Sequence, residues 1–312
     1  MLRSPHFTIE RLHPGVWVAI ARPDGHALCN SGIVDLGGQT VVFDSMLTPE
    51  AGAALRTASR RATGRAPDWV VNSHWHGDHI WGNSALRAPH VVSTRTVRRV
   101  IERRSREQWR ECRRVFPKEL RELDRPGSPV GPADRRRLRG WFEGVLAGPR
   151  ALPVVPPDVT FEERLVLSGS RRSIELVSHG GGHSPSDVFA HLPDERTIFA
   201  GDLAMVGLHP SVGDGWPDRW IGILARMEEL RADRVLPGHG PVGDRTTLPT
   251  VRGYLTDLVA LAARAVRDGR SAAEAAGTPV PDRYREWQFS FMFGENVARA
   301  YRLARRSRRR SR

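Results

Sequence analysis

The sequence predicts a layered α/β protein with helices outside two sheets. Three observations carry that expectation. Short apolar runs and longer helical stretches alternate along the chain, and they do so in two separate halves. Glycine and proline are frequent, at 30 and 23 of 312 residues, but they punctuate apolar runs rather than forming a low-complexity tract. Finally, 39% of the chain is hydrophobic, enough for a large core.

The first half opens with strands. Val16 to Ile20 is a short apolar run, and Ile33 to Leu36 and Thr40 to Phe43 flank Gly37-Gly38 as a hairpin. Pro49 then starts a helix over 50–61, ended by Gly64 and Pro67. Trp69 to Val71 is a strand that runs into Ser73. Residues 94–147 read as a helical insertion: apolar positions at Val97, Val100, Ile101, Trp109, Cys112 and Val115 follow helical spacing, and Pro126 to Pro132 mark a loop in its middle. The insertion is either a lid over a site or a solvated decoration.

The second half begins after Pro156-Pro157. Leu165 to Leu167 pairs with Ile174 to Val177, and Val188 to His191 pairs with Thr197 to Phe199 through a turn at 193–196. A helix over 221–230, a strand at Val235-Leu236 and helices over 246–267 and 291–305 complete the chain. One domain over 1–304 is expected, followed by a basic disordered tail over 305–312.

Composition removes several classes. Cys29 and Cys112 cannot build a disulfide framework and have no zinc-finger spacing. No run reaches the ~18 apolar residues of a membrane span. The stretch MLRSPHFTIE lacks the apolar core of a secretory signal, so a cytoplasmic protein without a membrane partner is expected. The formal charge is +13, but Lys118 is the only lysine, and an arginine skew of this kind reads as compositional bias. No nucleic-acid module accompanies it, so a small-molecule substrate is expected. Nothing in the sequence sets an oligomeric state.

The chemistry gathers at His74-Trp75-His76-Gly77-Asp78-His79, on a loop directly after a strand. His74 and His76 are two apart, so in an extended segment they point the same way and can grip one ion. Asp78 and His79 follow Gly77, which permits a sharp turn toward a second ion. Three more pieces repeat one arrangement of apolar strand, glycine and ligand: Gly182-His183, Gly201-Asp202 and Gly238-His239. Imidazole and carboxylate are ligands suited to zinc.

The run HxHxDH, then GGGHSPSD, LPDERTIFAGD and PGHG, resembles the metallo-β-lactamase superfamily, from about Asn30 to Pro241 and in the same order. That resemblance implies an αββα sandwich with the metal site at one edge of the sheets. It implies two Zn2+ per chain: His74, His76 and His183 on the first, Asp78, His79 and His239 on the second, and Asp202 bridging. Iron is the alternative metal. Asp202 stands where cysteine-containing β-lactamases carry cysteine, so the site is more similar to the glyoxalase II, lactonase and ribonuclease Z branches.

The expected reaction is hydrolysis of an ester, lactone, thioester or amide by a metal-activated water, with Asp78 as the catalytic carboxylate. A ribonuclease Z-like phosphodiesterase, a persulfide-dioxygenase-like iron oxidoreductase and a non-catalytic binding module are the alternatives. Asp44 is placed to orient an imidazole. His209, Trp75, Trp216 and Trp220 are candidates for substrate contact, whereas Trp81 and Trp287 read as core. The pocket walls are expected from 94–147 and 203–220.

Overall fold

A computed structural model describes residues 4–310. Seven strands form the first sheet, in sequence order: β1 (Phe7–His13), β2 (Val16–Ala21), β3 (Ser31–Asp35), β4 (Thr40–Phe43), β5 (Trp69–Val71), β6 (His90–Thr94) and β7 (Val159–Phe161). The first four pair antiparallel and the last three add on in parallel. Helix α1 (Pro49–Thr63) crosses between β4 and β5. Its N-cap is Thr48, whose hydroxyl accepts from the Ala51 amide at 3.1 Å, and Gly64 closes it in the left-handed conformation. The short helices α2 (Gly77–Ile80) and α3 (Asn83–Leu86) follow β5, and the insertion contributes α4 (Arg95–Asp124) and α5 (Pro132–Ala147).

The second sheet has six strands: β8 (Arg164–Ser168), β9 (Ser173–Val177), β10 (Phe189–Leu192), β11 (Thr197–Met205), β12 (Arg234–His239) and β13 (Gly243–Asp244). All pair antiparallel except β11 with β12. Helices α6 (Pro217–Glu229), α7 (Thr247–Arg267), α8 (Ala272–Ala276) and α9 (Met292–Arg310) complete the fold.

The two sheets face each other across a core of Val18, Val41, Val71, Phe161, Leu176, Ala190, Phe199 and Leu236. On the far side of the first sheet, Ile33, Val42 and Val70 pack on Ala51, Leu55 and Ala58 of α1. On the far side of the second, Ile198 and Val235 pack on Leu224, Leu255, Leu258 and Val297 of α6, α7 and α9. This is the expected αββα sandwich.

Two features depart from the sequence reading. The strands β1, β6 and β7 were not anticipated. FTIERLH mixes polar residues into a half-exposed edge, and β6 and β7 hold only five and three residues. The last helix also continues to Arg310 instead of giving way to a disordered tail at Arg305. Arginine is a good helix former, and Arg308 donates to the Val266 carbonyl at 2.8 Å, tying the helix end to α7. Residues 311 and 312 of that tail lie outside the described residues. Among the described residues, no helix is long and apolar enough to cross a membrane.

Candidate metal centre

All seven sequence-identified ligands converge at one end of the two sheets. His74, His76, His183 and Asp202 form one group, and Asp78, His79 and His239 form another. Within each group the ligand atoms lie within 4.8 Å of one another. Asp202 belongs to both by geometry. Its Oδ2 is 3.4 Å from His183 Nε2 and 3.9 Å from His74 Nε2, while its Oδ1 is 3.2 Å from His79 Nε2 and 3.3 Å from His239 Nε2. Asp78 turns its Oδ2 to the second group only, 3.4 Å from His79 Nε2 and 3.3 Å from His239 Nε2.

Local sequence explains the placement. The loop after β5 is held by Ser73, whose amide and hydroxyl donate to Asp44 at 2.7 and 2.8 Å. The loop between β9 and β10 wraps the Asp187 carboxylate, which accepts from the amides of Gly182, His183 and Ser184 at 2.7 to 3.1 Å. Asp202 follows Gly201, which has φ 53° and lies where the β11–β12 pairing shifts register. A Cβ on Gly238 would stand 1.9 Å from Asp202 Oδ1, so only glycine lets β12 pass under that carboxylate. Asn30 clasps the two sheets together here. Its amide nitrogen donates to the carbonyls of Pro237 and Gly240 at 2.9 and 2.8 Å, and its carbonyl oxygen accepts from Ala21.

Each imidazole is fixed by its remote nitrogen. Nδ1 of His79 meets Asp44 Oδ2 at 2.7 Å, as expected for Asp44. Nδ1 of His74 meets Ser73 Oγ at 2.9 Å, that of His183 the Ser211 carbonyl at 3.0 Å, and that of His239 the Leu28 carbonyl at 3.0 Å. His76 is reversed: its Nδ1 faces His183 Nε2 at 3.0 Å and its Nε2 lies 3.4 Å from Asp214 Oδ2. Such partners set the tautomer that leaves the inner nitrogen free to bind a cation. Sequence reasoning missed Asp214, which sits in a loop twelve residues past Asp202 with no motif around it.

The donor set fits metal ions. His74 Nε2, His79 Nε2 and Asp202 Oδ1 are buried without a hydrogen-bond partner, a costly arrangement unless something fills the space among them. Burial holds His74 well below the ordinary histidine range and His183 down to about 3, so both rings present neutral lone pairs. Burial opposes ionisation of Asp202, but His239 and His79 beside it hold its carboxyl well below the usual range. Nitrogen and carboxylate donors suit zinc, iron and related ions.

The comparisons with known proteins agree with this geometry. The sequence profile of the metallo-β-lactamase superfamily matches residues 24–239. The chain belongs to the metallo-β-lactamase superfamily. It is similar to the metallo-β-lactamase type 2 of Bacteroides fragilis, at 29% identity over 105 residues, which span 31% of this chain and 41% of that protein. The structure of a metallo-β-lactamase from Pontibacter korlensis superposes with a TM-score of 0.59 at 20% identity, covering 80% of this chain and 99% of that one. The DIM-1 metallo-β-lactamase gives 0.55 at 17% identity, covering 81% and 98%. At these identities the structural likeness speaks for the fold alone.

A cavity of about 610 Å³ opens over the metal ligands. His76, Asp78, His183, Asp202 and His239 line its floor. Its walls come from the insertion and from 205–211, as anticipated, and also from Phe289, Phe291 and Met292, which were not. The candidate substrate contacts fare less well. Trp75 and Trp216 are not among the lining residues. Trp75 sits in a bent segment and packs its ring 4.9 Å from that of His76 and under the Arg104 guanidinium, 4.2 Å from its ring centre. Trp216 stands at the start of α6, beneath Arg219. Trp220 is buried behind His183 and donates to the Leu203 carbonyl. His209 does reach the wall, but both of its nitrogens are engaged, with Tyr254 Oη at 3.2 Å and the Tyr284 carbonyl at 3.1 Å. Trp81 is core, and Trp287 packs on Tyr254 and Tyr284.

Proposed function

We propose that the protein is a dinuclear zinc hydrolase acting on a carbonyl substrate, an ester, lactone, thioester or amide. The observation that carries this reading is Asp202, whose two oxygens face two separate ligand groups. A single-iron oxygenase would have no use for the second group, which is complete here.

His74, His76 and His183 would hold one ion and Asp78, His79 and His239 the other, with Asp202 between them. When bound, such a pair supplies an acidified water near neutral pH and Lewis-acid stabilisation of negative charge on the substrate oxygen. The chain's own contribution is placement. The outer hydrogen bonds from Asp44, Ser73, Ser211, Leu28 and Asp214 lock the imidazoles, so little reorganisation accompanies reaction. Asp78 has one oxygen committed to the ligand group, and its carboxylate is positioned to orient the attacking water and accept its proton.

Cys29 is not suited to act as the nucleophile. It is buried, its thiol donates to the Asp78 carbonyl at 2.9 Å, and burial pushes it up to about 12. The deciding experiment is metal analysis followed by chromogenic esters, lactones, thioesters, phosphodiesters and β-lactams, with Asp78→Ala beside wild type. About two zinc ions per chain and carbonyl hydrolysis lost in Asp78→Ala are expected. One iron with oxygen consumption, or activity untouched in Asp78→Ala, refutes the reading.

A further inference from the structure

The composition of the cavity wall narrows the substrate. The chain holds 48 Lys and Arg residues in 312, yet among the described residues none of them lines the cavity. Away from the ligand carboxylates and imidazoles, the charged lining side chain is Glu119, an exposed acid on α4. Arg104, which neighbours the centre through Asp214, is already committed: it lies over Trp75 and 3.9 Å from Asp214.

The rest of the wall is mostly apolar, with Gln108, His209 and Ser211 as its polar members. Positions 104, 108, 112 and 116 are successive steps of four along α4 and so share one helix face. From that face Gln108 and Phe116 reach the cavity, and Trp141 and Phe142 of α5 continue the surface. Phe289 and Phe291 close the other side, and Phe291 is 49% exposed, a large apolar side chain left open to solvent beside the ligands. Gln108 Oε1 is buried with no hydrogen-bond partner, an acceptor that offers nothing to an anion.

We propose that the site takes an uncharged carboxylic ester or lactone with an extended apolar arm, and rejects substrates that carry a remote carboxylate or phosphate. This rests on the hydrolase reading above. An apolar arm laid on Phe116, Trp141, Phe142 and Phe289 leaves water for a matching surface. A remote anion in the same place loses its hydration, meets no cation and faces Glu119. In the reaction, the oxygen of water bonds to the carbonyl carbon, the bond from that carbon to the alkoxy oxygen breaks, and the proton passes to the departing alcohol.

The test uses the full chain reconstituted with zinc and three esters of 4-nitrophenol: acetate, octanoate, and the octanedioate half-ester, which keeps the octanoate arm but ends it in a carboxylate. The ratio kcat/KM decides, because unproductive binding of the carboxylate to the metal site cancels from it. Octanoate is expected to exceed acetate by at least about tenfold, and the half-ester to fall at least about tenfold below octanoate. Glu119→Arg, on an exposed residue, is expected to narrow the second gap. A half-ester cleaved as well as octanoate, or no gain from acetate to octanoate, overturns the proposal.

If no ester, lactone, thioester or amide is cleaved, the hydrolase reading falls, and the wall is judged separately by calorimetric titration with 2-decanone. Saturable binding that Trp141→Ala weakens by about tenfold supports apolar recognition. No saturable binding to wild type, or binding indifferent to Trp141→Ala, overturns it.

Discussion

The carboxylate of Asp44 accepts a 2.7 Å hydrogen bond from Nδ1 of His79, with both side chains shut off from solvent. Asp44 holds a left-handed backbone, φ 61°, to reach this position at the end of β4, and the same carboxylate anchors Ser73. One residue therefore sets both the tautomer of a ligand and the loop that carries the others. Asp44→Ala is expected to lower metal affinity by about 10- to 100-fold. Asp44→Asn keeps an acceptor and tolerates the backbone, so it should fall between. Competition against a fluorescent chelator measures both.

Gly238 offers a purely steric lever. An added methyl would collide with Asp202 Oδ1 and approach the Gly201 backbone at 2.9 Å. Gly238→Ala is expected to push the shared carboxylate off position and reduce bound metal from about two ions per chain toward one or none. Elemental analysis after gel filtration reads the stoichiometry, and circular dichroism shows whether the fold survives. Full occupancy in a folded Gly238→Ala protein would contradict the role assigned to Asp202.

Metal uptake should release protons. Burial opposes charge on His239, but Asp202 and Asp78 raise it from 6.5 to about 9 in the metal-free chain. The ring is then protonated at pH 7.5, and a cation must displace that proton. Apparent affinity is expected to climb with pH through about 9, with His79, which despite its burial is also raised above the ordinary histidine range by the carboxylates around it, adding to the rise. The linked stability runs the other way: the His239 contribution to the metal-free fold is complete below the unperturbed 6.5 and is lost as pH rises through about 9. Calorimetry in buffers of different ionisation enthalpy should detect about one proton or more per chain at pH 7.5. His74 and His183, held low by burial, add none.

Trp109 fastens the insertion to the body of the protein. It is 1% exposed, stands edge-on to Trp81 at 4.9 Å, and donates to the Pro149 carbonyl at 3.0 Å. Trp109→Ala is expected to cost about 3–5 kcal/mol in urea unfolding. The cavity wall on the same helix should loosen with it, seen as faster amide exchange along α4.

The candidate metal ligands were legible in the sequence because each of their clusters follows an apolar strand and contains a glycine, a local pattern. Asp44 was legible because it too follows an apolar strand. Asp214 and the wall at Phe289, Phe291 and Met292 were not, since they reach the centre through tertiary packing of loops and of the start of α9. Trp75 shows a different failure. It lies between two candidate ligands in sequence, but the bend of the segment packs its ring against His76 and Arg104 instead of into the cavity, a placement that depends on tertiary contacts. The extension of α9 past Arg305 depended on a distant carbonyl, Val266, that the sequence gives no hint of.

The clasp made by Asn30 has a consequence for how the centre is filled. Its hydrogen bonds to Pro237 and Gly240 join the halves of the sandwich without help from any ion. The receptacle is therefore expected to stand before its contents arrive, unlike a zinc finger, where the ion is the scaffold. A chain stripped by dialysis should keep its backbone in place and accept a different ion. On that expectation the ions it carries would follow the supply around the finished molecule rather than the order of events during folding.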